Sequence, residues 1–124
     1  MVHMRVLVVE DEIKMASLIR RGLRSEGLAA DVAIKGEDAL WMANSTGYDA
    51  IVLDVMLPGI NGIEACRRLR SDPATASATI VMLTGDSGPQ AERGALAAGA
   101  DLFLTKPFSP LHLLRLVDRI GSPG

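Results

Sequence analysis

The chain has 124 residues, 48% hydrophobic and 23% charged, with a formal net charge of −2. That length suffices for one domain with a substantial core, and the charge balance argues against direct nucleic-acid binding, which needs a basic face. The apolar runs are too short to cross a bilayer, no signal segment opens the chain, and a single cysteine, Cys66, excludes an internal disulfide. Together these point to a reduced, cytoplasmic setting.

Met4 reads as the natural start, which makes residues 1–3 an added leader, 4–121 one domain and 122–124 a tail. Met4 to Val9 is a continuous aliphatic run, short enough to be a strand buried on both faces. Three acids follow it: Glu10, Asp11 and Glu12. A helix then runs to Glu26, with Met15, Leu18, Ile19, Gly22 and Leu23 on its apolar face, and Gly27 stops it. Leu28 to Ala33 reads as a weaker strand, Asp38 to Ala43 as a short helix partly covered by Trp41, and Asn44 to Gly47 as a loop.

Ala50 to Leu53 is the next strand, and it delivers Asp54 to its end just before a Pro58-Gly59 turn. Gly62, Ala65, Cys66 and Leu69 share a face of a third helix, which Ser71-Asp72-Pro73 ends. Thr79 to Leu83 is a strand followed by Thr84-Gly85-Asp86. Pro89 to Ala98 is a helix of low intrinsic stability, broken by Gly94. Leu102 to Thr105 is the fifth strand. Ser109 and Pro110 begin a last helix that buries Leu113, Leu114, Val117 and Ile120.

Strands alternating with helices predict an α/β fold: one parallel, doubly wound sheet of five strands with five helices. Ligands of such sheets bind beyond the carboxyl ends of the strands. Glu10 and Asp11, Asp54, Thr84 and Lys106 all stand at such ends, after strands one, three, four and five. Several carboxylates in one cleft repel each other unless a cation lies among them. Oxygen-only ligands suit Mg²⁺ (or Mn²⁺), so Glu10, Asp11 and Asp54 read as a divalent-metal site. A carboxylate is also a nucleophile toward phosphorus. Lys106 would bring a mobile charge to phosphoryl oxygens, and the Thr84 hydroxyl with an N–H near Gly85 would bind another.

Four motifs carry a family resemblance. They are Val-Glu-Asp-Glu at 9–12, Leu-Asp-Val-Met-Leu-Pro-Gly at 53–59, Met-Leu-Thr-Gly at 82–85 and Leu-Thr-Lys-Pro-Phe at 104–108. In this order and spacing the chain resembles the CheY-like receiver domain of two-component response regulators over nearly its whole length. Its first half is most similar to receivers attached to winged-helix transcription factors. The resemblance implies strand order 2-1-3-4-5 and a phosphorylation switch. Asp54 would take a phosphoryl group from a histidine kinase or phosphotransfer protein. Asp11, Asp54 and the Met56 carbonyl would hold Mg²⁺, with Glu10 acting through water. The Lys106–Pro107 bond would be cis. Thr84 and Phe103 would form the switch pair, remodelling the face of helix four, strand five and helix five that an output domain or partner reads.

Departures qualify the picture. Phe103 stands where many members carry Tyr. Met56 offers no side-chain donor to orient an attacking water, so self-dephosphorylation should be slow, with Asp86 as a modifier. Residues 71–78 form a longer connection than the winged-helix group has. Leu102, Leu116 and Asp118 replace charged residues that pair across its dimers, so a homodimer does not follow from the charge pattern. Competing classes have less support. A phosphatase of the haloacid-dehalogenase kind needs a second acid where Met56 stands, and a nucleotide-binding protein needs a Gly-rich loop after strand one; a phosphorylation-independent interaction module would be favoured if Mg²⁺ bound but partner affinity ignored phosphorylation. Cys66 reads as core packing, and His3 and His112 as surface residues.

Overall fold

A computed structural model of the chain describes residues 4–85 and 88–120. Its elements are β1 (Arg5–Val9), α1 (Ile13–Ser25), β2 (Ala29–Ala33), α2 (Gly36–Ser45), β3 (Ala50–Asp54), α3 (Gly62–Ser71), β4 (Thr79–Thr84), α4 (Pro89–Ala97), β5 (Leu102–Thr105) and α5 (Pro110–Ile120). The strands form one parallel sheet in the order β2-β1-β3-β4-β5. The expected fold class and strand order are therefore both present.

Alternation along the strands builds two cores. Leu7, Val9, Ile51, Leu53, Ile80 and Met82 face α2, α3 and α4, where they meet Ala39, Ala65, Cys66, Leu69 and Ala95. Val6, Val8, Val52, Val81 and Leu83 face α1 and α5, where they meet Ile19, Leu23, Leu113 and Val117. Covering both faces is what makes the inner strands read as unbroken apolar runs rather than alternating ones. β3 is buried along its whole length, so its last residue, Asp54, is carried into the interior edge of the molecule by five residues that leave no exposed face.

Several local expectations are corrected. Leu18 lies off the buried face of α1 and is 44% exposed. The apolar stripe instead runs through Ala16, Ile19 and Leu23, a residue set that subtends one side of a 3.6-residue helix. α2 starts two residues earlier, at Gly36, and continues through Asn44 and Ser45, which had read as loop. The Ser45 hydroxyl donates to the Trp41 carbonyl inside this extra turn. Trp41 covers little, at 71% exposed. α4 runs through Gly94 without a break, since a single glycine lowers helix stability without removing a backbone hydrogen bond. Gly27 does end α1, in the left-handed region at φ 85° that a glycine enters without a Cβ clash. Cys66 is buried, and His112 is exposed. His3, Asp86, the leader and the tail lie outside the described residues, as does the side chain of Ile120.

The longer connection after α3 is tied down by Arg70. Its guanidinium donates to the carbonyls of Gly99 and Ala76 at 2.8 and 2.9 Å, to that of Ala78, and to Asp101 Oδ2 at 2.6 Å. Asp101 Oδ2 also accepts the Ile80 N–H at 2.9 Å. One side chain thus joins α3, the 72–78 segment and the turn before β5.

Candidate functional site: an acidic cleft closed by a lysine

Register places the acids. Val9 pairs with Leu53 across β1 and β3, so Glu10 and Asp54, the next residue along each chain, leave the sheet side by side. Thr84 pairs with Thr105 across β4 and β5, and Lys106 follows directly. The Glu10 N–H donates to the Ala33 carbonyl at 3.0 Å, and the Lys106 N–H to the Thr84 carbonyl at 2.6 Å. The Lys106–Pro107 peptide is cis.

The side chains converge. Lys106 Nζ donates to Asp54 Oδ2 at 2.7 Å and to Glu10 Oε1 at 3.0 Å. The Met56 N–H donates to the other Asp54 oxygen, Oδ1, at 3.0 Å. Asp54 is 2% exposed and Glu10 fully buried. Lys106 thus lies between two carboxylates. Burial works against its ammonium, but the hydrogen bonds and charges of Asp54 and Glu10 outweigh that and raise its pKa. Burial, reinforced by the neighbouring Asp54, pushes Glu10 up to about 7 despite Lys106.

The cleft has unmet acceptor capacity. Glu10, Asp11 and Asp54 each place a ligand oxygen within 4.8 Å of the others. Glu10 Oε2 is buried and makes no hydrogen bond. An orphaned buried carboxylate oxygen is costly, and the one ammonium here faces two buried acids with a third, exposed, at the rim. A hard divalent cation with oxygen ligands answers both the orphan and the charge, so the donor set fits Mg²⁺ or Mn²⁺.

Comparison with known proteins decides the family. The family model of the response regulator receiver domain matches residues 6–118. The chain belongs to the response regulator receiver family. It is 44% identical over 120 residues to the transcriptional regulatory protein TcrA of Mycobacterium tuberculosis, covering 94% of this chain and 47% of TcrA. It is 42% identical over 114 residues to the phosphate regulon transcriptional regulatory protein PhoB of Rhizobium meliloti, covering 91% of this chain and 50% of PhoB. The receiver thus spans about half the length of these curated relatives. Among solved structures, it resembles the receiver domain of the sensor histidine kinase PA1611 from Pseudomonas aeruginosa, with TM-score 0.88, 32% identity and coverage of 98% and 100% of the two chains. That domain was solved with a magnesium ion coordinated in its active-site cleft. Receivers are switches of two-component signalling rather than ordinary enzymes.

Of the remaining expected residues, Thr84 ends β4, Gly85 follows it, Phe103 lies within β5 and Met56 follows β3. Thr84 is buried at 4% exposure. Beside it, Gly85 leaves open space where a Cβ would stand. Phe103 pairs with Met82 across β4 and β5 and packs, half-buried, on the α2–α3–α4 side of the sheet. The Met56 side chain is 75% exposed.

Sequence reasoning passed over the residues that shape the loop after Asp54. Asn61 caps α3, accepting the Glu64 N–H at 2.9 Å through its side chain. An asparagine three residues before a glutamate is a readable start signal. Gly62 lets α3 begin against the backbone of β3. Glu37 reaches over from α2 to accept the Ile60 N–H at 3.0 Å. Nothing local to its sequence signals that contact.

Proposed function

We propose that this receiver accepts a phosphoryl group on Asp54 from a sensor histidine kinase or phosphotransfer protein, and signals the change to an output domain or partner. The observation carrying this reading is the cleft itself: a buried carboxylate, Asp54, within 2.7 Å of a lysine ammonium and beside an orphaned acid oxygen.

Asp11, Asp54 and the Met56 carbonyl would hold Mg²⁺ or Mn²⁺, with Glu10 acting through water. When bound, the cation would neutralise charge on the phosphoryl oxygens. The chain's own groups do the rest. An Asp54 carboxylate oxygen forms the bond to phosphorus as the bond to the donor imidazole nitrogen breaks, and the imidazole takes a proton from solvent. Lys106, already beside Asp54 and held cationic, passes its hydrogen bond to a phosphoryl oxygen. The Thr84 hydroxyl and an N–H near Gly85 bind another. Phe103 responds to the movement of Thr84, and the face of α4, β5 and α5 changes for the partner that reads it. The chain assists its own phosphorylation and dephosphorylation and no other turnover. The setting is cytoplasmic, with no direct role for nucleic acid or membrane. Among the described residues no helix is long and apolar enough to cross a membrane. Assembly into a homodimer would be an outcome of phosphorylation to measure, since the charged dimer pattern is missing.

Beryllium fluoride, a phosphoryl mimic, tests the reading. With Mg²⁺ the parent should take it up, seen by native mass measurement, and size measurement reports any assembly change. Asp54→Asn should take up none. An Asp54→Asn variant that responds like the parent refutes the assignment.

The phosphoryl lifetime gives a second prediction. The Met56 thioether does not donate a hydrogen bond to an attacking water, whereas an amide at this position would. One such bond in the transition state amounts to about a tenfold rate change. Met56→Asn should therefore lose radiolabelled phosphate about tenfold faster than the parent, and equal decay rates would show that position 56 does not set the lifetime.

A further inference from the structure

We propose that Glu37, in the first turn of α2, is a positioning residue for the cation and phosphoryl site, acting by fixing the turn that follows Asp54. The proposal rests on the metal-assisted reading of the cleft.

The loop 55–61 is anchored at two ends. At the sheet end, the Val55 N–H donates to the Leu83 carbonyl at 2.8 Å, and the Gly62 N–H to the Val55 carbonyl at 2.9 Å. The Met56 N–H donates to Asp54 Oδ1 at 3.0 Å. At the far end the chain reverses at Pro58-Gly59, where Gly59 has φ 74°. There α2 grips it. Glu37 Oε1 accepts the Ile60 N–H at 3.0 Å. Both Glu37 oxygens press on Gly59 so closely that a Cβ there would lie 2.5 and 2.6 Å from them. Gly36 brings the start of α2 against the Ile60 carbonyl, where a Cβ would stand only 2.4 Å from the oxygen. The turn is thus held on its N–H by a carboxylate and on its carbonyl by backbone contact.

Between the two anchors lie Met56, Leu57 and Pro58. This short span carries the Met56 carbonyl, assigned above to the cation, and the Met56 N–H that orients Asp54. With the Glu37 carboxylate removed, the Gly36 contact on the Ile60 carbonyl and the sheet end are left to define where that carbonyl points. Loss of preorganisation at a ligand lowers cation affinity without touching the acids themselves. The Ile60 N–H and Glu37's own backbone N–H hold the carboxyl below the usual glutamate range, so it stays an acceptor across neutral pH.

The alternative role for an acid in the first turn of a helix is favourable interaction with the helix dipole. Glutamine separates the two, because it loses the charge and keeps an acceptor oxygen. Mg²⁺ titration by calorimetry is the first readout, and amide exchange at Ile60 in metal-free protein is the second. Glu37→Ala should weaken Mg²⁺ about fivefold, the scale of one hydrogen bond, and speed Ile60 exchange. Glu37→Gln should stay near the parent in both. At saturating Mg²⁺ the rate of labelling by acetyl phosphate should return to the parent value. Arg70→Ala serves as a control, with a lower urea midpoint and unchanged Mg²⁺ affinity, because its bonds lie away from the cleft. A Glu37→Ala protein with parental Mg²⁺ affinity overturns the proposal, as does a Glu37→Gln protein as weak as Glu37→Ala. A parent that binds no Mg²⁺ removes the metal-site reading together with this proposal, so the two failures are distinguishable.

Discussion

In metal-free buffer the parent should lose folding stability relative to Glu10→Gln as pH rises from about 4.5 to about 7, the ordinary and the folded values for this carboxyl. Below that window Glu10 is protonated in both folded and unfolded chains, and its burial is tolerated. Inside the window the unfolded chain releases the proton while the folded chain keeps it. The unfolded state then binds fewer protons, so the stability of the fold falls with pH. Above the window the loss is complete, on the order of 3 kcal/mol from the difference in the two values. Lys106 does not disturb this window, since its raised pKa keeps it charged throughout. Urea denaturation of the two proteins at several pH values measures the difference. Mg²⁺ should change the sign of the trend, because a ligand that binds only the folded, ionised cleft stabilises more as the acids ionise. Parallel pH profiles for parent and Glu10→Gln would contradict the picture of an orphaned buried acid.

Gly62→Ala should be the most damaging single change outside the acids. A Cβ at this position would lie 2.2 Å from the Asp54 carbonyl oxygen, 2.7 Å from Val55 Cα and 2.8 Å from the Asp54 carbonyl carbon. All three are backbone atoms, of the last residue of β3 and the one after it, so no side chain can swing aside to make room. Either α3 withdraws and loses the contacts of Ala65, Cys66 and Leu69, or the end of β3 moves and carries Asp54 away from Lys106. Overpacking of this kind costs about 3 kcal/mol. A lower urea midpoint together with weaker Mg²⁺ binding is the expected pair of results. A Gly62→Ala protein with parental stability would mean that the α3–β3 approach is less close than described.

The fold was legible because its strands are short, aliphatic and separated by helical periods, and the site because four strand ends each finish on a polar residue. Where reading failed, the cause lies in contacts distant in sequence. Leu18 and Ile19 are both aliphatic, and only packing against the sheet decides that Ile19 turns inward. Asn44 and Ser45 are weak helix formers, yet α2 keeps its last turn. The Asn44 amide donates to Asp72 Oδ2 at 2.7 Å, a bond made available by the connection after α3. Lys106 could be assigned to the cleft from its motif, but its simultaneous hold on Asp54 and Glu10 needed the β1–β3 register. Glu37 was invisible because its partner, Ile60, lies 23 residues on.

Phosphoacceptance by Asp54 is measured most directly by intact mass after incubation with acetyl phosphate and Mg²⁺, followed by borohydride trapping and peptide mapping. A gain of one phosphoryl group is expected, dependent on the cation, with the trapped residue at Asp54 and no gain in Asp54→Asn. A phosphoryl group mapped to any other residue, or an equal gain by the Asp54→Asn protein, would contradict it.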